Sequence, residues 1–306
     1  MTAIEIILYI GGGGILLYYG GDFLVKGASR LARSAGIAPF VIGLTIVAFS
    51  TSLPELVVSL FAAIGGNEGI ALGNIIGSNI ANIGLIIGLS ATIFHLSIVG
   101  SKFKKDLNIL LLLSLMFSVI MLGGQISKWE GAFLFSILIL YTFYSLINSR
   151  KGHSNNNSGK PSGSNFLFII LGAAALCFGA NFFVKGAAEL ARMLNVSELS
   201  IGLTVAAYGT SLPELATSLV AAYRKESEIS VGNIIGSNIF NMLCVAGIVS
   251  MVKPLPVDII LFKVEIPIML LYVLALYPIS RLNGAIPKVY SLFLLLSYFG
   301  FIIYVF

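Results

Sequence analysis

The chain has 306 residues, 58% of them hydrophobic and only 10% charged, with a mean hydropathy of +1.00. These values lie far outside the range of a soluble globular domain and imply an integral membrane protein. The net charge of +5 calls for no nucleic acid partner, because in a membrane protein the placement of Lys and Arg reports orientation.

Apolar runs of roughly 20 residues predict ten spans, beginning near Ile4, Phe40, Gly69, Leu107, Glu130, Phe166, Leu199, Ile229, Val257 and Val289. The first run is too long, and too poor in N-terminal positive charge, for a cleaved signal peptide, and is read as a span. The third and eighth are expected to be interrupted at their Gly-Asn motifs. Residues 148–165, NSRKGHSNNNSGKPSGSN, lack apolar periodicity and read as a flexible cytoplasmic linker between residues 1–147 and 166–306. With the N-terminus outside, the inward side receives 13 of the 18 Lys and Arg, and the outward side keeps only Lys128, Lys185, Arg192, Lys253 and Lys263. That bias predicts a multi-pass cell-membrane protein with both termini extracellular.

The two parts on either side of the linker are copies. Ile42 to Glu55, IGLTIVAFSTSLPE, returns as Ile201 to Glu214, IGLTVAAYGTSLPE, and GNIIGSNI at Gly73 to Ile80 returns unchanged at Gly232 to Ile239, both at an offset of 159 residues. The likeness extends upstream, pairing Phe23, Lys26 and Gly27 with Phe182, Lys185 and Gly186. Five spans precede the linker and five follow, so the second copy enters the membrane from the opposite side. The expected fold is an all-α integral membrane protein of ten transmembrane helices in two inverted five-helix repeats, an arrangement of many secondary transporters.

Each copy carries one acid, Glu55 or Glu214, inside a stretch otherwise fit for lipid, where an ionisable group costs about 2.5–3.5 kcal/mol and signals function. Helical spacing puts Thr51 and Glu55 on one face with Ser52 beside them, and Thr210, Ser211 and Glu214 repeat the pattern. Pro54 and Pro213 are expected to break the helices and free carbonyls just upstream, those of Ala48 and Ala207 included. Ser78 and Asn82, and again Ser237 and Asn241, stand four residues apart on a helix face, while Gly73, Gly77, Gly232 and Gly236 permit close backbone approach.

The inventory is all oxygen, which suits hard cations such as Ca2+. No thiolate or imidazole stands by for softer metals: Cys177 and Cys244 lie in different apolar runs, His95 near a span end and His153 in a polar loop. Of the 13 acidic residues only Glu55 and Glu214 fall well inside a span, with Glu265 the least certain exclusion. The formal charge near −2 matches one divalent ion or two or three Na+. Like charges repel strongly in a partly dry site, so the pair should demand cations, and mutually exclusive occupancy is the physical basis of exchange. A carboxylate pair can also carry protons, and acidic rings can select cations in a passive channel. An intramembrane enzyme built on Ser52 and Glu55 would lack a group to activate the nucleophile.

The duplicated TSLPE and GNxxGSN motifs resemble the alpha repeats of the cation/Ca2+ exchanger superfamily, most closely its Na+/Ca2+ exchanger branch, over essentially the whole chain. The resemblance implies electrogenic antiport of about three Na+ for one Ca2+, normally extruding Ca2+, with no cofactor and no obligatory protein partner. It assigns Ca2+ to Glu55, Glu214, Thr51 and Thr210. Na+ would use Ser52, Ser78, Ser211 and Ser237 with the Ala48 and Ala207 carbonyls and the two glutamates, while Asn82 and Asn241 line the centre. Some relatives, K+-dependent exchangers among them, have Asp where this chain has Asn241, and proton-coupled ones have Glu where it has Gly77 and Gly236. The first departure argues against K+ co-transport and the second favours Na+ over proton coupling, with H+/Ca2+ antiport the alternative. The resemblance also implies that the first and sixth helices slide across the rest to switch access, for which the run Gly11–Gly14 would offer a smooth face.

Overall fold

The computed structural model describes residues 1–152, 162–194, 209–281 and 283–305. It is an all-helical membrane protein with two small antiparallel ribbons. The long helices are α1 (Ala3–Ala35), α2 (Pro39–Thr51), α3 (Leu53–Ile64), α4 (Glu68–Ile93), α5 (Gly100–Met121), α6 (Lys128–Gly152), α7 (Gly163–Met193), α8 (Leu212–Tyr223), α9 (Ser227–Val252), α10 (Leu261–Arg281) and α11 (Lys288–Val305). Among the described residues six helices are long and apolar enough to cross a membrane, and α2 with α3 forms a seventh span bent by 41°. The stretch expected as linker is helical at both ends, since α6 runs to Gly152 and α7 starts at Gly163; His153 and the rest of its middle lie outside the described residues.

Local chemistry sets the ends. Thr2 and Glu5 form a reciprocal capping box at the start of α1, the Thr2 hydroxyl accepting from the Glu5 amide and the Glu5 carboxylate from the Thr2 amide. Gly36, at φ 63°, closes the same helix in the left-handed conformation that glycine adopts without cost. The turn after α3 uses Gly66 at φ 84°; the turn after α8 places Lys225, the residue at the same offset, at φ 60°.

The offset of 159 survives in three dimensions. Leu53–Ile64 corresponds end for end with Leu212–Tyr223, and the α-helical part of α4, Glu68–Ala81, with Ser227–Phe240 of α9. Each of the latter passes into a π-helical turn, Asn82–Ile87 or Asn241–Val245. The expected interruption at the Gly-Asn motifs is therefore corrected. Those motifs are regular α-helix, and the irregularity comes at the following asparagine, where one extra residue per turn swings a side chain out of register.

The ribbons join the copies. Strand β1 (Ser97–Val99) pairs with β4 (Asn283–Ala285), and β2 (Gln125–Ile126) with β3 (Leu255–Pro256). In each ribbon one strand comes from each copy. The densest packing is around α4 and α9, whose most apolar stretches are 72% and 89% buried, against 22% for α1 and 28% for α7. Helices that are apolar on all sides belong in such a centre.

Between α1 and α7 the contact runs through glycines spaced by seven. A Cβ at Gly13 would sit 2.6 Å from the Phe183 backbone, one at Gly20 2.8 Å from that of Leu176, and one at Gly27 2.9 Å from that of Asn165. Gly172, Gly179 and Gly186 answer from α7, so the two helices run antiparallel in close backbone contact. Within the run Gly11–Gly14, Gly13 packs on α7, and among the described residues nothing lies within 4 Å of a Cβ at Gly11, Gly12 or Gly14.

Candidate functional site

The bend in the second span falls at Ser52, with φ −81° and ψ 5°, and Pro54 takes the second position of α3. Ser211 repeats this geometry, φ −83° and ψ 4°, ahead of Pro213. Glu55 and Glu214 thus lie in the first turn of a helix, where unpaired amides and the helix dipole favour negative charge. Both glutamates are fully buried.

The copies exchange hydrogen bonds across the centre. The Ser52 hydroxyl donates to Glu214 Oε1 at 3.2 Å, and the Ser211 hydroxyl to Glu55 Oε1 at 3.3 Å. Ser211 also reaches Ser78 Oγ at 3.2 Å, and Thr51 lies 3.4 Å from Ser237 Oγ. Thr51, Ser52, Glu55, Ser78, Thr210, Ser211, Glu214 and Ser237 are all buried, and these hydrogen bonds bring residues of the two copies together at one centre.

A second layer was not predicted. The Thr51 hydroxyl donates to Asn233 Oδ1 at 3.1 Å, and Asn233 Nδ2 donates to Ser218 Oγ at 3.0 Å. At the offset of 159, Thr210 donates to Asn74 Oδ1 at 3.0 Å, and Asn74 Nδ2 to Ser59 Oγ at 2.9 Å and the Glu55 carbonyl at 3.4 Å. The available signal was the unchanged GNIIGSNI run: its first asparagine, Asn74 or Asn233, recurs as strictly as Ser78 and Ser237.

Several buried polar atoms at the centre have no hydrogen-bond partner among the described residues: Glu55 Oε2, Glu214 Oε2, Asn82 Oδ1, and both polar side-chain atoms of Asn241. Asn82 Nδ2 donates to Asn238 Oδ1 at 3.1 Å. The π turns beginning at Asn82 and Asn241 pack against α8 and α3 respectively, each against the glutamate-bearing helix of the other copy. Leaving such oxygens unpaired is expensive, and a cation is the partner that satisfies several acceptors at once.

The Ala48 carbonyl departs from expectation. It accepts the Ser52 amide at 2.9 Å and the Thr51 hydroxyl at 3.2 Å. The reason is positional, since Pro54 withholds its amide from the carbonyl four residues back, that of Ser50. Ala207 lies outside the described residues. Gly232 and Gly236 do allow close approach, their Cβ positions falling 2.3 Å from the carbonyls of Phe40 and Leu44. At Gly73 and Gly77 no described residue comes within 4 Å, and the residues equivalent to Phe40 and Leu44 by offset, Leu199 and Leu203, lie outside the description.

A family model described as "Sodium/calcium exchanger protein" matches the chain twice, over residues 5–147 and 164–306. The chain belongs to the sodium/calcium exchanger family. Among its relatives, the sodium/calcium exchanger MaX1 of Methanosarcina acetivorans is 32% identical, the match covering 95% of this chain and 96% of that protein. The inner membrane protein YrbG of Escherichia coli is 35% identical over 84% of this chain and 83% of its own. A solved structure of the sodium-calcium exchanger NCX_Mj, soaked with 10 mM Na+ and zero Ca2+, superposes with a TM-score of 0.88 at 34% identity, covering 99% of both chains. Family membership accords with transport rather than enzymatic chemistry.

Proposed function

We propose that the chain is an antiporter that exchanges Na+ for Ca2+ by alternating access, with about three Na+ entering per Ca2+ extruded and net charge moved each cycle. The observation that carries this reading is the buried glutamate pair, each carboxylate held by a serine of the opposite copy and each keeping one oxygen with no hydrogen-bond partner among the described residues. Two negative charges in a dry centre demand compensation, which one Ca2+ or a set of Na+ supplies interchangeably. The names of MaX1 and NCX_Mj support the choice of ions.

In this reading Ca2+ is held by Glu55, Glu214, Thr51 and Thr210. Na+ uses Ser52, Ser78, Ser211, Ser237, both glutamates and the carbonyls of Ala48 and Ala207, with Asn82 and Asn241 lining the centre and Pro54 and Pro213 keeping the helices broken. The spans are ten, in two inverted copies of residues 1–147 and 166–306 with a cytoplasmic linker, in the cell membrane with extracellular termini. The ribbons support the inversion. One crossing, α5, separates β1 from β2, and one, α10, separates β3 from β4, yet β1 lies with β4 and β2 with β3. Equivalent strands β1 and β3 thus sit on opposite faces.

Purified protein in Na+-loaded vesicles is expected to take up radioactive Ca2+ only when external Na+ is low, and faster when a permeant ion dissipates the accumulating charge. Uptake driven equally by a pH gradient would replace Na+ with H+ as the counter-ion. Uptake needing no counter-ion would mark a channel.

A further inference from the structure

Resting on the cation-site reading, we infer that Asn74 and Asn233, anchored by Ser59 and Ser218, are positioning residues that turn the hydroxyl hydrogens of Thr210 and Thr51 away from the ions and leave threonine oxygens that can only accept. A hydroxyl is ambivalent: it donates or accepts as its surroundings allow. Next to a cation only the accepting orientation binds, and a hydrogen pointed inward repels.

The structure resolves that ambivalence from behind. The Asn74 amide nitrogen is committed to Ser59 Oγ at 2.9 Å and to the Glu55 main-chain carbonyl at 3.4 Å, and a carbonyl can only accept. The amide oxygen must therefore face Thr210, 3.0 Å away, and there it takes the hydroxyl hydrogen. In the other half Asn233 takes the same orientation as its counterpart, with Nδ2 on Ser218 and its oxygen facing Thr51 at 3.1 Å. The Thr51 hydroxyl has a second acceptor in the Ala48 carbonyl at 3.2 Å, so donation to Asn233 frees one lone pair of that carbonyl for an ion while the other stays with the Ser52 amide.

Two features separate this from ordinary packing. Each asparagine bonds a serine of its own copy and the threonine of the opposite copy, so the same pair of struts spans the centre twice at the offset of 159. Each is also neutral. An aspartate in its place would accept the same hydroxyl but add a charge competing with Glu55 and Glu214 for the cation.

The test is a double-mutant cycle on Ca2+ affinity, read by titration calorimetry of purified protein without Na+, with melting of the ion-free protein as a control. Asn74→Ala and Thr210→Ala should each weaken Ca2+ binding by about tenfold, the scale of one buried hydrogen bond. Because Asn74 acts through Thr210, the double variant should be no weaker than Thr210→Ala alone, within about twofold; Asn233→Ala with Thr51→Ala should behave alike. Ser59→Ala, a milder change, should weaken binding about threefold with Thr210 present and not at all in Thr210→Ala. Multiplicative losses near 100-fold, or unchanged affinity in Asn74→Ala and Ser59→Ala, would overturn the positioning role. If wild-type protein bound no Ca2+, or Glu55→Gln bound it normally, the cation site itself would fail instead.

Discussion

The centre around α3, α4, α8 and α9 and the pair α1 with α7 are built by opposite means. In the centre, side chains of one copy hydrogen-bond those of the other, and the polar groups that do so are almost all buried. Along α1 and α7 most of the surface faces outward, and adhesion comes from backbone against backbone at glycines seven residues apart. The pair is tied at one end by the amino terminus and Glu189, 3.4 Å apart. On the opposite side α1 is fastened to the α8–α9 turn: Asp22 pairs with Arg224 and, at 2.6 Å, with Lys26, and the Ser29 hydroxyl donates to Glu226 at 2.6 Å. The residues equivalent to Asp22, Arg224 and Glu226 by offset are Asn181, Gly65 and Asn67, so the ionic fastening exists in one copy only. Polar specificity is concentrated where ions would sit. The surrounding pair is held by shape and by a few charges that can let go.

The contrast is broken most severely at the glutamates. Glu55→Gln and Glu214→Gln should each reduce Ca2+ exchange in vesicles by roughly 100-fold or more, the cost of removing one partner from a buried charged site. Saturating Ca2+, at about 100 times its Kd, should stabilise wild-type protein by about 2.7 kcal/mol in thermal melts and leave these variants unmoved.

At the α1–α7 contact, Gly13→Leu should cost about 1–3 kcal/mol by forcing the backbones apart and slow transport while Ca2+ affinity stays within about twofold of wild type. Gly12→Leu, with open space around its Cβ, should change neither. Equal effects of the two would deny that the spacing of seven is the contact.

Arg224→Ala should lower stability by about 1.5–3 kcal/mol, because it leaves the buried Asp22 with only Lys26, and should leave equilibrium Ca2+ binding unchanged. The smallest effect is a gain. Lys225 holds a left-handed conformation that Gly66 occupies in the other copy, so Lys225→Gly should raise stability by about 0.5–1 kcal/mol in chemical denaturation.

Much of this was legible because duplication marks what is constrained twice. Span starts near Ile4, Phe40, Gly69 and Ile229 fall within two residues of the helix starts at Ala3, Pro39, Glu68 and Ser227. The glutamates stood out as charges in apolar runs. What local pattern could not show were contacts between copies. Nothing near Asn74 in the sequence announces Thr210, and nothing near Asp22 announces Arg224. The expected interruptions were placed on the Gly-Asn motifs rather than at Asn82 and Asn241, because composition marks where a helix can bend, whereas packing decides where it does. The α1–α7 glycine seam was not read at all, although its period of seven, Gly13, Gly20 and Gly27, was already written in α1.

The central claim is that two copies make one cation site. Counting bound Ca2+ per chain by equilibrium dialysis in Na+-free buffer tests it most directly. One Ca2+ per chain, lost entirely in either Glu55→Gln or Glu214→Gln and displaced by added Na+, is the predicted result. Two Ca2+ per chain, with one surviving in each single variant, would mean that each copy holds its own site and would contradict the account.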